Sequence, residues 1–405
     1  MHEKIEWALT HMKVLRHAGK ELKKNGLLKG KKIAMALHVE AKTAALAITL
    51  GSAGAEVAIT SCNPLTTDPP VASSLAEVKE IKCYARKFEG KKEYYEALHK
   101  VLDIKPEILI DDGADLIKLV HTERRELLDE IVGANEETTT GVTRLRAMEK
   151  AEVLQFPVFD VNDAEMKHLF DNRYGTGQST FDGIFSATNL LIAGKTVVVA
   201  GYGWCGRGIA ARARGLGADV IVTEVNPIKA IEARMDGFRV MPIGKAIEEA
   251  DFVITATGCR DVLTIKQILK AKDGVVLANA GHFDVEIPKA ELEKVARKKR
   301  KVREHTVEYR LPNGKKVYLL AEGRLVNLVA GQGHPVEIMD LSFAIQALCA
   351  QELARNGKKL QPQVYPVPKE IDEKVAFLKL RAMGVEIDSL SKEQQRYLAS
   401  WEEGT

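Results

Sequence analysis

Apolar residues along this chain gather in short runs, each followed by a stretch with helical composition. The first run, 32–39, comes directly after basic residues, and 41–50 have helical composition. Glu56–Thr60, 81–85 and 107–110 read as further strands. Strands alternating with helices predict a parallel α/β sheet. Asn162 or Asp163 is placed to cap a helix that runs through Lys167 to about Asp171. After a glycine-rich break at Tyr174-Gly175-Thr176-Gly177 and a further helix, the run 195–200 opens a second series. It continues through Asp219–Thr223, 252–256, 275–278 and 317–320, and predicts a second doubly wound domain. Asn313-Gly314, between 306–311 and Lys316–Leu320, is a hairpin signal. From about His334 the pattern is helical again and could pack back on the first domain, and 368–405 form a charged helical tail. The expected fold class is therefore α/β, with two doubly wound parallel-sheet (Rossmann-like) domains and a small helical C-terminal tail.

Composition narrows the function classes. At 405 residues, two or three domains are expected. A net charge of only +3 gives no electrostatic case for nucleic acid or a membrane surface. The one basic run, Lys298, Lys299, Arg300, Lys301 and Arg303, reads as a solvated helix end or hairpin edge. Cys62, Cys83, Cys205, Cys259 and Cys349 are scattered and lack metal-ligand spacing, so neither a metal site nor a disulfide framework is expected. The start, Met1-His2-Glu3-Lys4, lacks the apolar core of a signal peptide, and no stretch is apolar enough to span a bilayer. The cytoplasm is the expected location.

One glycine motif carries chemistry. Gly201, Gly203 and Gly206 follow the strand Thr196–Ala200, a helix over 208–215 comes next, and Glu224 ends the following strand. In this context the first glycine makes a tight turn and the second lets backbone approach a pyrophosphate. The third lets helix pack on strand. Helix N–H groups then face the phosphates. A carboxylate at Glu224 accepts from the adenosine ribose and repels a 2′-phosphate, so NAD is the expected cofactor.

Ligands of open α/β sheets bind beyond the carboxyl ends of strands. Those ends present His38, Asp111 with Asp112, and Asn279 with His282. A lone histidine is more often structural, and paired aspartates often cap a helix, but several such groups together point to a site. Lys167 and Asp171, four apart, share a helix face and alone would read as a surface ion pair. Glu136-Glu137-Thr138-Thr139-Thr140-Gly141 is a polar loop suited to a ligand.

Together these segments resemble the S-adenosylhomocysteine hydrolase family along almost the whole chain. The resemblance rests on Asp111-Asp112-Gly113, the Glu136 to Gly141 loop, Phe170-Asp171-Asn172-Arg173-Tyr174-Gly175 and Gly201 to Gly206. It rests further on Asn279-Ala280-Gly281-His282-Phe283-Asp284, Ala321-Glu322-Gly323-Arg324-Leu325-Val326-Asn327-Leu328 and Gly333-His334-Pro335. It implies an enzyme with tightly bound NAD that oxidises the ribose 3′-hydroxyl of S-adenosyl-L-homocysteine, eliminates homocysteine, adds water and re-reduces, with no net redox change. Lys167 and Asp171 then belong at the 3′ oxygen, the lysine acting as base if its pKa is depressed. His38 and Asp112 form the acid/base set, and Glu137 and His282 hold ribose hydroxyls. Thr138, Thr139, Thr140, Asn172, Glu224, Asn279 and Asn327 contact NAD. Glu40, Lys42 and Thr43 fall at the purine, with His334 near its entrance. The implied division is a substrate domain over 1–172 completed by 334–367, an NAD domain over 173–333, and an oligomerisation segment over 368–405.

Three departures qualify the likeness. Many relatives have threonine and glutamate at the positions of Glu40 and Lys42, and that glutamate accepts from the adenine 6-amino group. Lysine is donor-only and instead suits a 6-oxo purine. Either S-inosyl-L-homocysteine is preferred, or Glu40 receives the amino group. Many relatives also end in an extension that reaches a neighbour's NAD site, whereas this chain stops at Trp401-Glu402-Glu403-Gly404-Thr405. The clamp is not carried over, but a homotetramer remains the expected assembly. Thirdly, Thr176 stands where many relatives have cysteine. A 2-hydroxy-acid dehydrogenase would share the NAD fold but would turn over free NADH, and a non-enzymatic NAD-sensing scaffold would be expected to lack the acid/base groups that are all present.

Overall fold

The computed structural model describes residues 1–401; the last four residues of the predicted tail, 402–405, lie outside them. In chain order the first strands are β1 (Lys32–Ala36), β2 (Glu56–Thr60), β3 (Ile81–Cys83), β4 (Ile108–Asp111), β5 (Gly133–Glu136) and β6 (Val158–Asp160). They are followed by β7 (Thr196–Ala200), β8 (Asp219–Thr223), β9 (Arg239–Val240), β10 (Phe252–Thr255) and β11 (Val275–Asn279). A hairpin unit, β12 (Lys298–Arg303), β13 (Thr306–Arg310) and β14 (Lys316–Leu320), and the late β15 (Val364–Pro366) complete the set. One sheet has the order β15-β6-β5-β4-β1-β2-β3 and is parallel throughout. The other runs β12-β13-β14-β11-β10-β7-β8-β9, parallel except at the two hairpin pairings.

Strands covered on both faces read as continuous apolar runs. In β1, Ile33 and Met35 enter one core layer while Ala34 and Ala36 enter the other. In β7, Val197 and Val199 face one layer and Val198 the opposite one. The central strand of each series therefore shows most clearly in the sequence. The strand β5, Gly-Ala-Asn-Glu, was not visible there, because its buried Asn135 and Glu136 give it no apolar run. The basic run is the edge strand β12, whose charges deter pairing with another chain.

Among the consecutive parallel strands, the order reverses between β1 and β4 in one sheet and between β7 and β10 in the other. Crevices that take ligands open at such points. The chain passes between the two sheets through residues 161–188, and the helix Val336–Asn356 returns to pack on the helices Lys13–Asn25 and Ala41–Ser52.

Two expectations about the crossing segment are corrected. Neither Asn162 nor Asp163 caps the helix that carries Lys167. Ala164 occupies the cap position, and the remote Asp372 carboxylate accepts from the N–H groups of Glu165 at 2.7 Å and Met166 at 2.9 Å. The glycine-rich stretch is no break either. Residues His168–Gly175 are wound as a π-helix that runs directly into the helix Thr176–Thr188. The glycines serve close approach: a Cβ on Gly177 would lie 2.7 Å from the Gly208 carbonyl oxygen, and one on Gly175 2.9 Å from the His334 ring. Among the described residues, no helix is long and apolar enough to cross a membrane.

Candidate active site

A cleft of about 1320 Å³ lies where the two reversal points face each other. It is lined by His38, Glu40, Lys42, Thr43, Asp112, Glu137, Thr138, Thr139, Thr140, Lys167, Asp171 and Asn172. From the second sheet it receives Gly201, Gly203, Glu224, His282, Asn327 and His334. Two predicted residues stand behind it. Gly206 packs its Cα against the Gly201 carbonyl, where any side chain would collide. Asn279 does not reach the cleft. Its amide donates to the carbonyls of Gly281, Phe283 and Gly323 and accepts from the Gly281 N–H at 2.7 Å, which shapes the loop carrying His282.

On the second sheet the glycine loop fits a dinucleotide. Gly201 turns at φ 99°, and a Cβ on Gly203 would meet nothing within 4 Å, so backbone is open to a phosphate there. Glu224, at the end of β8, accepts from the N–H groups of Tyr202, Val225 and Asn226. Burial raises its carboxyl, but these three donors outweigh that and hold it below its ordinary range. Asn327 donates to Ser179 at 3.1 Å, while its buried carbonyl oxygen has no partner and awaits a donor. Thr138 caps the helix Thr139–Lys150 through the Thr140 N–H at 2.9 Å and aims that helix start at the cleft.

The first sheet supplies the reactive groups. His38 leaves β1, with Nδ1 2.7 Å from Thr66 Oγ1 and Nε2 3.4 Å from Asp112 Oδ2. His282 Nδ1 approaches the other Asp112 oxygen at 3.6 Å. Asp111 is not the N-cap of the next helix, a position that Ala114 takes, but it accepts from the Ile117 N–H in that helix's first turn, and Asp112 is left for the cleft. Buried Lys167 lies 3.6 Å from Glu137 and 3.8 Å from Asp171, and donates to Asn172 at 2.8 Å and Asn162 at 3.2 Å. Asp171 pairs with His334 at 2.8 Å and accepts from Ser342 at 2.7 Å. Glu137 accepts from Gln346 at 2.6 Å, and its other oxygen, the one nearest Lys167, is buried without a hydrogen bond. At the far end, Glu40 caps the helix Ala41–Ser52 through the N–H groups of Lys42 and Thr43. The Lys42 ammonium sits 2.7 Å from Glu40 and 2.8 Å from the Gln332 carbonyl, and Thr43 Oγ1 donates to the His38 carbonyl at 2.6 Å.

Comparison with known proteins agrees with this two-sheet site. The family model described as S-adenosyl-L-homocysteine hydrolase matches residues 2–129, and the one described as its NAD binding domain matches 172–333. An S-inosyl-L-homocysteine hydrolase of Methanocaldococcus jannaschii is 61% identical over 99% of this chain and 96% of its own length. An adenosylhomocysteinase of Thermoplasma acidophilum is 59% identical over 99% of this chain and 98% of its own. The chain belongs to the S-adenosyl-L-homocysteine hydrolase family. It is an enzyme of the hydrolase class, and its cofactor is NAD.

In this family member the electrostatics revise one expectation. Burial disfavours the Lys167 ammonium, yet Asp171, Glu137 and Asp112 outweigh burial and raise its pKa. The anticipated depression is therefore absent. Burial pushes the Glu137 carboxyl up to about 7 against the pull of Lys167. It also raises the Asp171 carboxyl, but Lys167 and His334 overcome it and keep Asp171 ionised. Burial lowers His38 to about 4, with Asp112 opposing, so its ring is neutral at pH 7. Several supporting residues escaped the sequence reading. Ser342 and Gln346 stand four apart in the otherwise apolar stretch 341–350 of their helix, a usable signal. Thr66, in a loop, carried none.

Proposed function

We propose that this enzyme reversibly hydrolyses a nucleosidyl-homocysteine thioether to a nucleoside and L-homocysteine, with S-inosyl-L-homocysteine as its preferred substrate. The observation that carries the preference is the Lys42 ammonium in the cleft wall. It donates to the Gln332 carbonyl and pairs with Glu40, and a remaining proton suits a purine 6-oxo group. Glu40, already capping a helix and paired with Lys42, is less free to take an adenine amino group. S-adenosyl-L-homocysteine is the second reading, favoured by the nearness of that same carboxylate to the pocket.

When bound, NAD supplies reversible two-electron oxidation at the ribose 3′ carbon; Glu224, Asn327 and the threonines 138–140 hold it beside the glycine loop. Lys167, kept as an ammonium, donates to the 3′ oxygen and steadies its developing charge. As the alcohol is oxidised, its hydroxyl proton passes through Lys167, which gives one proton to the Glu137 carboxylate as it takes another; Glu137 titrates near neutrality and returns the proton on re-reduction. A ketone at the 3′ carbon makes the 4′ C–H acidic. Neutral His38, with Asp112, removes that proton and hands it to the departing homocysteine sulfur. Neutral again, the same pair then activates the incoming water. Glu137 and His282 hold ribose hydroxyls meanwhile.

We further assign residues 1–172 with 334–367 to the substrate domain, 173–333 to the NAD domain and 368–405 to association. A cytoplasmic homotetramer is the proposed assembly. Support comes from the helix Lys392–Ala399, which buries no residue of its own, and from the exposed Leu398 and Trp401.

The deciding assay incubates the NAD-loaded enzyme with each thioether and measures free thiol and NADH. Thiol release without net NADH is expected, faster with the inosyl compound. Preference for the adenosyl compound would overturn the proposed specificity, and stoichiometric NADH would overturn the reaction. Lys167→Ala should abolish turnover.

A further inference from the structure

We propose that His38, Asp112 and His282 form a binding site for a zinc-type divalent cation, and that this cation inhibits the enzyme by occupying its acid/base groups. The three donor atoms lie within 4.8 Å of one another. His38 Nε2 is 3.4 Å from one Asp112 oxygen and His282 Nδ1 3.6 Å from the other. Both distances exceed the roughly 2.7–2.9 Å of a charge-assisted hydrogen bond. The carboxylate thus stands between the two rings with one oxygen toward each, and a small rotation of these side chains would bring one oxygen and both nitrogens to the bonds of about 2.0–2.2 Å that zinc makes.

The orientation of His38 supports a cation as well. His38 Nδ1 is engaged with Thr66 Oγ1 at 2.7 Å, which fixes the ring and leaves Nε2 facing an Asp112 oxygen at 3.4 Å. A histidine fixed through its other nitrogen is the usual arrangement around a metal. Its partner His282 is held by the loop that Asn279 braces. Cys62 Sγ, 3.6 Å from Asp112 Oδ2, places a soft donor behind the carboxylate. Two imidazoles and one carboxylate select zinc, cobalt or copper over magnesium or calcium. The fourth position opens into the cleft, which leaves it for water.

The proposed binding rests on the placement of the three donors, whereas inhibition rests on the acid/base roles proposed above. The test is to titrate the NAD-loaded enzyme with Co²⁺, a coloured stand-in for zinc, and to assay thiol release with Zn²⁺. One equivalent of Co²⁺ should give the intense visible bands of four-coordinate cobalt. Zn²⁺ should inhibit, with relief by chelator and protection by the nucleoside product. His282→Gln should abolish the bands, and Thr66→Val, which keeps all three ligands, should weaken Co²⁺ binding roughly 10- to 100-fold. Cys259→Ser, at an exposed thiol outside the cluster, should change nothing. Absent bands, or bands unchanged in both His282→Gln and Thr66→Val, would overturn the site while leaving the acid/base roles standing. Binding without inhibition would overturn the inhibitory role and the acid/base assignment with it.

Discussion

Two side chains in the cleft lend themselves to single-residue tests. Lys42 is a buried donor beside Glu40, and Lys42→Glu replaces the donor to a 6-oxo purine with an acceptor for a 6-amino group. An unmatched buried polar group costs about 1–3 kcal/mol. The ratio of kcat/KM for inosyl over adenosyl thioether should therefore fall by about one to two orders of magnitude, read by the thiol assay. Glu137 sets a pH dependence. Its pKa is raised to about 7, so its acceptor form is lost as pH falls through that value. Turnover should rise with pH across that region, and Glu137→Gln should remove the limb as well as lowering the rate. Lys167 carries the opposite lesson: burial alone argued for a depressed pKa, and its carboxylate neighbours reversed it.

The element that matters most is the crossing segment, since its one-turn helix and π-helix carry Lys167, Asp171 and Asn172. π-Helical turns are rare and are frequent at functional sites. Asp372, from the C-terminal helix Lys369–Met383, supplies its cap. Asp372→Ala should cost about 0.5–2 kcal/mol in chemical denaturation, as lost caps do. Faster hydrogen exchange at the Glu165 and Met166 amides would locate the effect. Gly177 packs against the backbone of Gly208. Gly177→Ala should destabilise by about 1–3 kcal/mol through overpacking, measured the same way. Elements whose apolar faces are buried were legible in the sequence, including β1, β2, β7, β8 and the β13–β14 hairpin. This crossing was misread at both ends. Its cap comes from far along the chain, and its glycines pack helix on helix instead of ending one.

For the whole molecule, the decisive feature is that two strand-order reversals face one cleft. The proposed tetramer is testable by light scattering. Leu398→Glu with Trp401→Ala should shift the assembly toward smaller species, and an unchanged mass would remove the tail from the interface. The candidate site was largely readable beforehand: polar residues at strand ends, the glycine loop and Glu224 are local features that survive in one dimension. Sequence also fixed the chemistry available, because residue type alone decides what can donate, accept or carry charge. Only the tertiary structure decided who meets whom. It withdrew Asn279 into a brace, held Lys167 charged between carboxylates, and gathered the donor atoms of His38, Asp112 and His282 within 4.8 Å of one another, though they are far apart along the chain. Through-space electrostatics and ligand geometry depend on distances between residues remote in sequence, and folding alone sets those distances.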